Sequence, residues 1–138
     1  MPLELSRLHI LKCGPMLASV HVGDIPQIVA QSLRTEFRSV NLSREKFEEV
    51  MSKHPEMIDY DFLQLPYILS HGLWIEERGQ PSCRLVSSPI PNSDQRYKAV
   101  VKRAKAGPDL WLKSFHRTRP RATRSLLKRG TILRMFLP

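Results

Sequence analysis

Ser114 and His116 lie two residues apart in the run Leu110-Trp-Leu-Lys-Ser-Phe-His-Arg117, and Lys98 and Lys102 lie in the run before it, Arg96-Tyr-Lys-Ala-Val-Val-Lys-Arg103. Both runs read as strands, in which alternate residues share a face. Strict alternation groups Leu110, Leu112, Ser114 and His116 on one side, and Trp111, Lys113, Phe115 and Arg117 on the other. In the earlier run Arg96, Lys98, Val100 and Lys102 alternate with Tyr97, Ala99, Val101 and Arg103. An antiparallel pairing would bring Lys98 or Lys102 near Ser114 and His116. These groups suit metal-independent RNA cleavage, in which a base removes the 2′-OH proton and the freed oxygen attacks phosphorus. An acid then protonates the departing 5′-oxygen, and cations balance the charge that builds on the phosphoryl oxygens. Histidine serves for proton transfer because it titrates close to neutral pH. Serine can hold a phosphate oxygen or the attacking hydroxyl.

Charge supports the same direction. Residues 96–138 hold 13 of the 22 Lys and Arg and a single acid, Asp109, so this third carries a formal +12 against −3 for the remainder. A field of one sign attracts a polyanion, and phosphate backbones are the commonest such partner. Arg119, Arg121, Arg124, Lys128 and Arg129 make a solvated helix face at the least, and their clustering favours contact with RNA or an acidic protein. Trp111 and Phe115 fit either base stacking or a half-buried sheet face. His9, Cys13 and His21 match no common zinc spacing and a fourth ligand is lacking, so no metal or other cofactor is expected. Cys13 and Cys83 read as ordinary reduced thiols. Neither a membrane span nor a signal sequence is legible, and a soluble cytoplasmic protein is the expectation.

The elements that must position these residues read as α+β, with N-terminal helices followed by a small antiparallel sheet of about four strands. Residues 1–23 form an irregular or strand-bearing lead broken at Gly14-Pro15. A helix from an Asp24 cap to about Ser39 would bury Ile25, Ile28, Val29, Leu33 and Phe37. Ser43 caps a second helix that ends at His54-Pro55, and a third runs from Asp59 or Asp61 to Ser70. Strands over 73–78 and 83–87 form one hairpin, and 96–104 with 109–116 a second. A short helix over 121–129 and an edge strand over 131–134 finish the chain. Residues 1–39 are set apart as a lead that could brace the rest or bind a partner, with 40–138 as the main domain.

Short pieces between Val40 and Arg134 carry a resemblance: Val40-Asn-Leu-Ser43, Ser52-Lys-His-Pro55, Leu65-Pro-Tyr-Ile68 with Gly72 after it, Arg96-Tyr-Lys98 and Leu110-Trp-Leu-Lys-Ser-Phe-His-Arg117. This span resembles the barnase–EndoU–colicin–RelE-like nucleases, especially their phage-associated branch. The resemblance implies helices before a four-stranded antiparallel sheet, with the active site on the sheet and a contribution from a helix. It marks His54 on the helical side, Lys98, Ser114 and His116 on strands, and Arg117 and Arg119 as phosphate contacts. Where the family often has Thr-x-Tyr on the late strand, this chain has Ser114-Phe-His116. The expectation is a toxin-like endoribonuclease with His54, Lys98, Ser114 and His116 as its catalytic set. Lys102, Arg117, Arg119 and Arg121 would bind RNA, tRNA being one candidate, and an acidic antitoxin or immunity protein would neutralise it. The alternatives are a non-catalytic RNA- or DNA-binding module and a phage protein that touches the genome.

Overall fold

A computed structural model describes residues 3–137. Its elements are α1 (Leu5–Cys13), β1 (Ser19–Asp24), α2 (Gln27–Ser32), β2 (Ser39–Ser43), α3 (Arg44–Lys53), α4 (Asp59–Leu63), α5 (Leu65–His71), β3 (Leu73–Glu77), β4 (Cys83–Pro89), β5 (Arg96–Arg103), β6 (Leu110–Thr118), α6 (Pro120–Leu127) and β7 (Gly130–Arg134). The class is α+β. Among the described residues the sheet has seven strands in the order β1-β2-β6-β5-β4-β3-β7, not about four. It is mixed, because β2 runs parallel to β6 while every other pair is antiparallel.

Two strands beyond the expected sheet come from the N-terminal third: β1, from the lead read as irregular or strand-bearing, and β2. Each offers only a short alternation of buried residues, with Val20 and Val22 in one and Val40 and Leu42 in the other. The expected long helix stops early. After Ser32 the backbone turns at Arg34, whose φ is 57°, and Thr35 Oγ1 donates to the Pro108 carbonyl at 2.9 Å while accepting from the Phe37 amide at 3.1 Å. A contact 73 residues away therefore redirects the chain into β2. Ile28 and Phe37, expected in the core, are exposed, whereas Ile25, Val29 and Leu33 are buried. Asp24 ends β1 and does not cap α2, whose cap position is Pro26. Within the lead, Leu5–Cys13 folds as α1, with Leu8 and Leu11 inside, and Ser19–Asp24 as β1; residues 1–2 lie outside the described residues. The division at residue 39 falls inside β2, which pairs with β1 on one side and β6 on the other.

Later elements follow the sequence reading more closely. Ser43 Oγ accepts from the Lys46 amide at 3.1 Å, satisfying one orphan donor of α3, and Phe47 and Val50 face inward. The third helix divides at Gln64 into α4 and α5, and Pro66 falls in the first turn of α5, where its missing N–H breaks no helical bond. The two hairpins join as one β3-β4-β5-β6 meander, and β7 pairs with β3 at the sheet edge.

The main core lies between α1–α5 and the sheet face that carries Val86, Tyr97, Ala99, Val101, Leu112 and Phe115. The other face has a smaller cover. There Leu126 of α6 packs on Leu73, Ile75 and Leu85 beside Val100, and Ser87 Oγ shares a 2.8 Å hydrogen bond with Thr123 Oγ1. Packed this way, α6 leaves Arg121, Arg124, Lys128 and Arg129 exposed. Among the described residues no helix is long and apolar enough to cross a membrane.

Candidate active site

A bulge in β6 decides which side chains meet. Val100 pairs with Ser114 but Val101 pairs with Leu112, so Lys113 is an extra residue on β6. One extra residue reverses the alternation that follows it. Leu110 and Leu112 therefore share the core side with Phe115, and Trp111 shares the opposite side with Ser114 and His116. Strict alternation had put Ser114 and His116 with the leucines. Because paired residues of an antiparallel ladder point the same way, the α6-side face carries the rungs Lys102–Trp111, Val100–Ser114, Lys98–His116 and Arg96–Thr118. Lys98 is thus directly across from His116, and Lys102 lies two rungs away beside Trp111.

The histidine from the helical side arrives through α3. Among the described residues, β2 pairs with β6 only at Leu110 and Trp111 and the rest of β6 has no strand on that side. Helix α3 lies against β6 there. It ends at His54, whose amide donates to the Val50 carbonyl at 2.9 Å before Pro55. The His54 and His116 rings stack with centroids 4.9 Å apart and planes 24° from parallel. Residues 62 positions apart in sequence are thereby in contact, with Lys98 on the next strand.

Two hydrogen-bonding details give the histidines different characters. His116 Nδ1 lies 2.8 Å from the Arg117 carbonyl oxygen. A carbonyl can only accept, so Nδ1 carries the proton and Nε2 presents its lone pair when the ring is neutral. Burial pushes the His116 pKa below its ordinary value, and the neighbouring His54 and Lys98 push the same way. The Arg117 carbonyl and Glu56 oppose them without reversing the direction. His54 is half-buried, and its Nδ1 lies 3.7 Å from Glu56 Oε1. The pair thus sets a ring whose charged form burial disfavours beside one that lies near a carboxylate.

Ser114 sits one rung along, on a cavity of about 170 Å³ whose lining includes Cys83, Leu85, Val100 and Lys113. The structure therefore places Ser114 on the same face as His116 but in its own recess. Arg119 and Arg121 are exposed where β6 passes into α6, and Lys102 is exposed at the far end of the ladder. None of Lys98, Lys102, Arg119 and Arg121 forms an ion pair among the described residues.

Arg117 stands apart from this group. It is on the core side with Phe115, and its Nε and Nη2 donate to Asp61 Oδ1 and Oδ2 at 3.0 and 2.9 Å. Asp61 is 1% exposed, and it also accepts from the Tyr97 hydroxyl at 2.5 Å and the Ile58 amide at 2.7 Å. Burial alone would raise the Asp61 pKa, but the bonds from Arg117, Tyr97 and Ile58 outweigh it and hold the carboxyl below its ordinary value. The same cluster raises the Tyr97 hydroxyl and the Arg117 guanidinium, through burial and the Asp61 bond for Tyr97 and through the Asp61 bond for Arg117. Arg117 ties α4 to β6, a role the sequence reading missed because it assigned this residue to phosphate. The available clue was Asp61 at a helix start, which marked a carboxylate without showing its partner. No family model, curated protein or solved structure matches the chain.

Proposed function

We propose that this chain is a metal-independent endoribonuclease of the toxin type, akin to the barnase–EndoU–colicin–RelE-like nucleases. The observation that carries the reading is the stacked His54–His116 pair facing Lys98. His116 Nε2 takes the 2′-OH proton, and the O2′–P bond forms as the P–O5′ bond breaks. His54 delivers a proton to the leaving 5′-oxygen, which leaves a 2′,3′-cyclic phosphate. Lys98 balances the charge that develops on the phosphoryl oxygens, with Ser114 as a hydrogen-bond donor to the same group. Solvent exchange on the two rings then restores their starting protonation. Lys102, Arg119 and Arg121 position the RNA backbone, with tRNA one candidate substrate. An acidic neutralising protein would fit the same basic face, and a cytoplasmic site of action follows from that substrate.

Incubation with tRNA and total RNA in EDTA tests this reading, with His116→Ala and His54→Ala proteins alongside. Cyclic-phosphate fragments should form with the native chain, and loss of one histidine should slow cleavage roughly 100- to 10,000-fold while RNA affinity changes little. A second reading, a non-catalytic nucleic-acid module that includes a phage genome-contacting protein, draws on the cations of β5 and α6 that form no ion pair among the described residues. Intact RNA together with a salt-sensitive gel shift would replace the enzyme with that module.

A further inference from the structure

A groove of about 570 Å³ lies between α3 and β6, away from the histidines. Trp111 contributes a half-buried indole to its lining, and Lys102, Lys105 and Lys113 line the same groove. From the α3 side come Glu45, Lys46 and Glu49. Glu49 is already held by Lys46 and Lys53, both at 2.7 Å, and those two lysines draw its carboxyl down to about 2. Lys102, Lys105 and Lys113 form no ion pair among the described residues, although Lys113 Nζ lies 3.7 Å from Cys83 Sγ. The groove therefore offers an aromatic face beside unneutralised ammonium groups, the combination that single-stranded nucleic acids use.

Its position supplies the second part of the argument. Ser43, the cap of α3, lines the groove with Trp111, while His54 at the other end of α3 stacks on His116. Helix α3 and β6 thus run side by side in one direction. The ten residues of α3 rise about 15 Å and the five steps from Trp111 to His116 about 16 Å, so the lengths agree. A strand lying along β6 would meet the indole at one end and the histidines at the other.

We infer that this groove is a binding subsite for single-stranded nucleic acid. An unpaired base stacks on Trp111, and the phosphates beside it bind Lys102, Lys105 and Lys113. The strand then continues along β6 toward His54 and His116. This deepens the ribonuclease reading by naming an unpaired strand as the substrate. It rests on that reading for the cut alone, since the groove itself selects for an unpaired base and backbone charge.

The chain has two tryptophans, and Trp74 is fully buried with its Nε1 donating to the Leu69 carbonyl. Fluorescence that responds to an added oligonucleotide therefore reports on Trp111. Short single-stranded DNA is the probe, because it lacks the 2′-OH and stays uncut. Saturable quenching is expected, with much weaker quenching by a duplex of the same sequence. By anisotropy of a labelled oligonucleotide, Trp111→Ala should bind roughly 10-fold more weakly and Trp111→Phe close to the native level. The double variant Lys102→Ala/Lys105→Ala changes exposed residues, and it should also weaken binding if the tryptophan variant fails to fold. Absence of quenching, equal quenching by the duplex, or native affinity in Trp111→Ala would each overturn the subsite. Cleavage of RNA without quenching removes the subsite and leaves the ribonuclease; quenching without cleavage supports the subsite and removes the enzyme.

Discussion

Replacing Arg117 with methionine should destabilise the fold more than it affects RNA binding by the folded protein. Asp61, 1% exposed, accepts two hydrogen bonds from this guanidinium, and Arg117 itself is 32% exposed. Breaking a fully buried ion pair costs about 3–5 kcal/mol, because an uncompensated charge is left behind. Here water can reach the Arg117 side, and the Tyr97 and Ile58 donors still hold the carboxylate, so the expected loss falls to about 2–3 kcal/mol. For a chain of this size that corresponds to a melting-point drop of roughly 10 °C. The pH dependence carries a sign. Asp61 has a lowered folded pKa, so its contribution is present above the ordinary carboxylate value and is lost as pH falls through the folded one. Without Arg117 that pKa rises, so the gap between variant and native stability should be full at neutral pH and shrink on acidification. Urea melts at neutral and mildly acid pH measure both, with exposed, unpaired Arg119→Met as the control and expected within about 0.5 kcal/mol of native. Native stability in Arg117→Met combined with a clear loss of RNA affinity would refute the clamp and return Arg117 to phosphate binding.

The lowered His116 pKa places the rising limb of kcat/KM on the acid side of the ordinary 6.5, and Lys98→Met should move it toward that value; a limb above 6.5 would deny His116 the role of base. The same shift makes His116 stabilising above its ordinary pKa, a contribution lost as pH falls, which His116→Phe should remove from the stability–pH profile. Removing Lys102, Arg119 or Arg121 should reduce the slope of log affinity against log salt by about 0.7 each if every one contacts a phosphate of a single strand, as binding titrations over a salt series would show. Leu126→Ala should cost about 2–4 kcal/mol by denaturant melting, since Leu126 packs on Leu73, Ile75 and Leu85 beneath α6; a loss under 1 kcal/mol would mean that α6 is held otherwise.

The α+β class, the Ser43 cap, the two C-terminal hairpins and the basic last third were legible in the residues themselves. Each rests on a local rule: a cap needs one side chain and its own helix, a hairpin needs two neighbouring runs, and net charge needs only counting. The pairing of Lys98 with His116 was one of the registers that alternation allowed. The bulge at Lys113 settled it, and a bulge depends on how the ladder closes against the core on which Phe115 packs. Strand β1 falls in a lead legible only as irregular or strand-bearing, and β2 carries too few alternating residues to stand out; the helix expected between them ends early at the bond from Thr35 to Pro108. Arg117 looked like any other cation of the basic segment until its face placed it beside Asp61. The meeting of His54 with His116 requires α3 to lie where β2 leaves β6 uncovered. Sequence thus supplied the chemical groups and most local elements, whereas long-range packing decided which groups share a face, because one extra residue in a strand reverses every side chain after it.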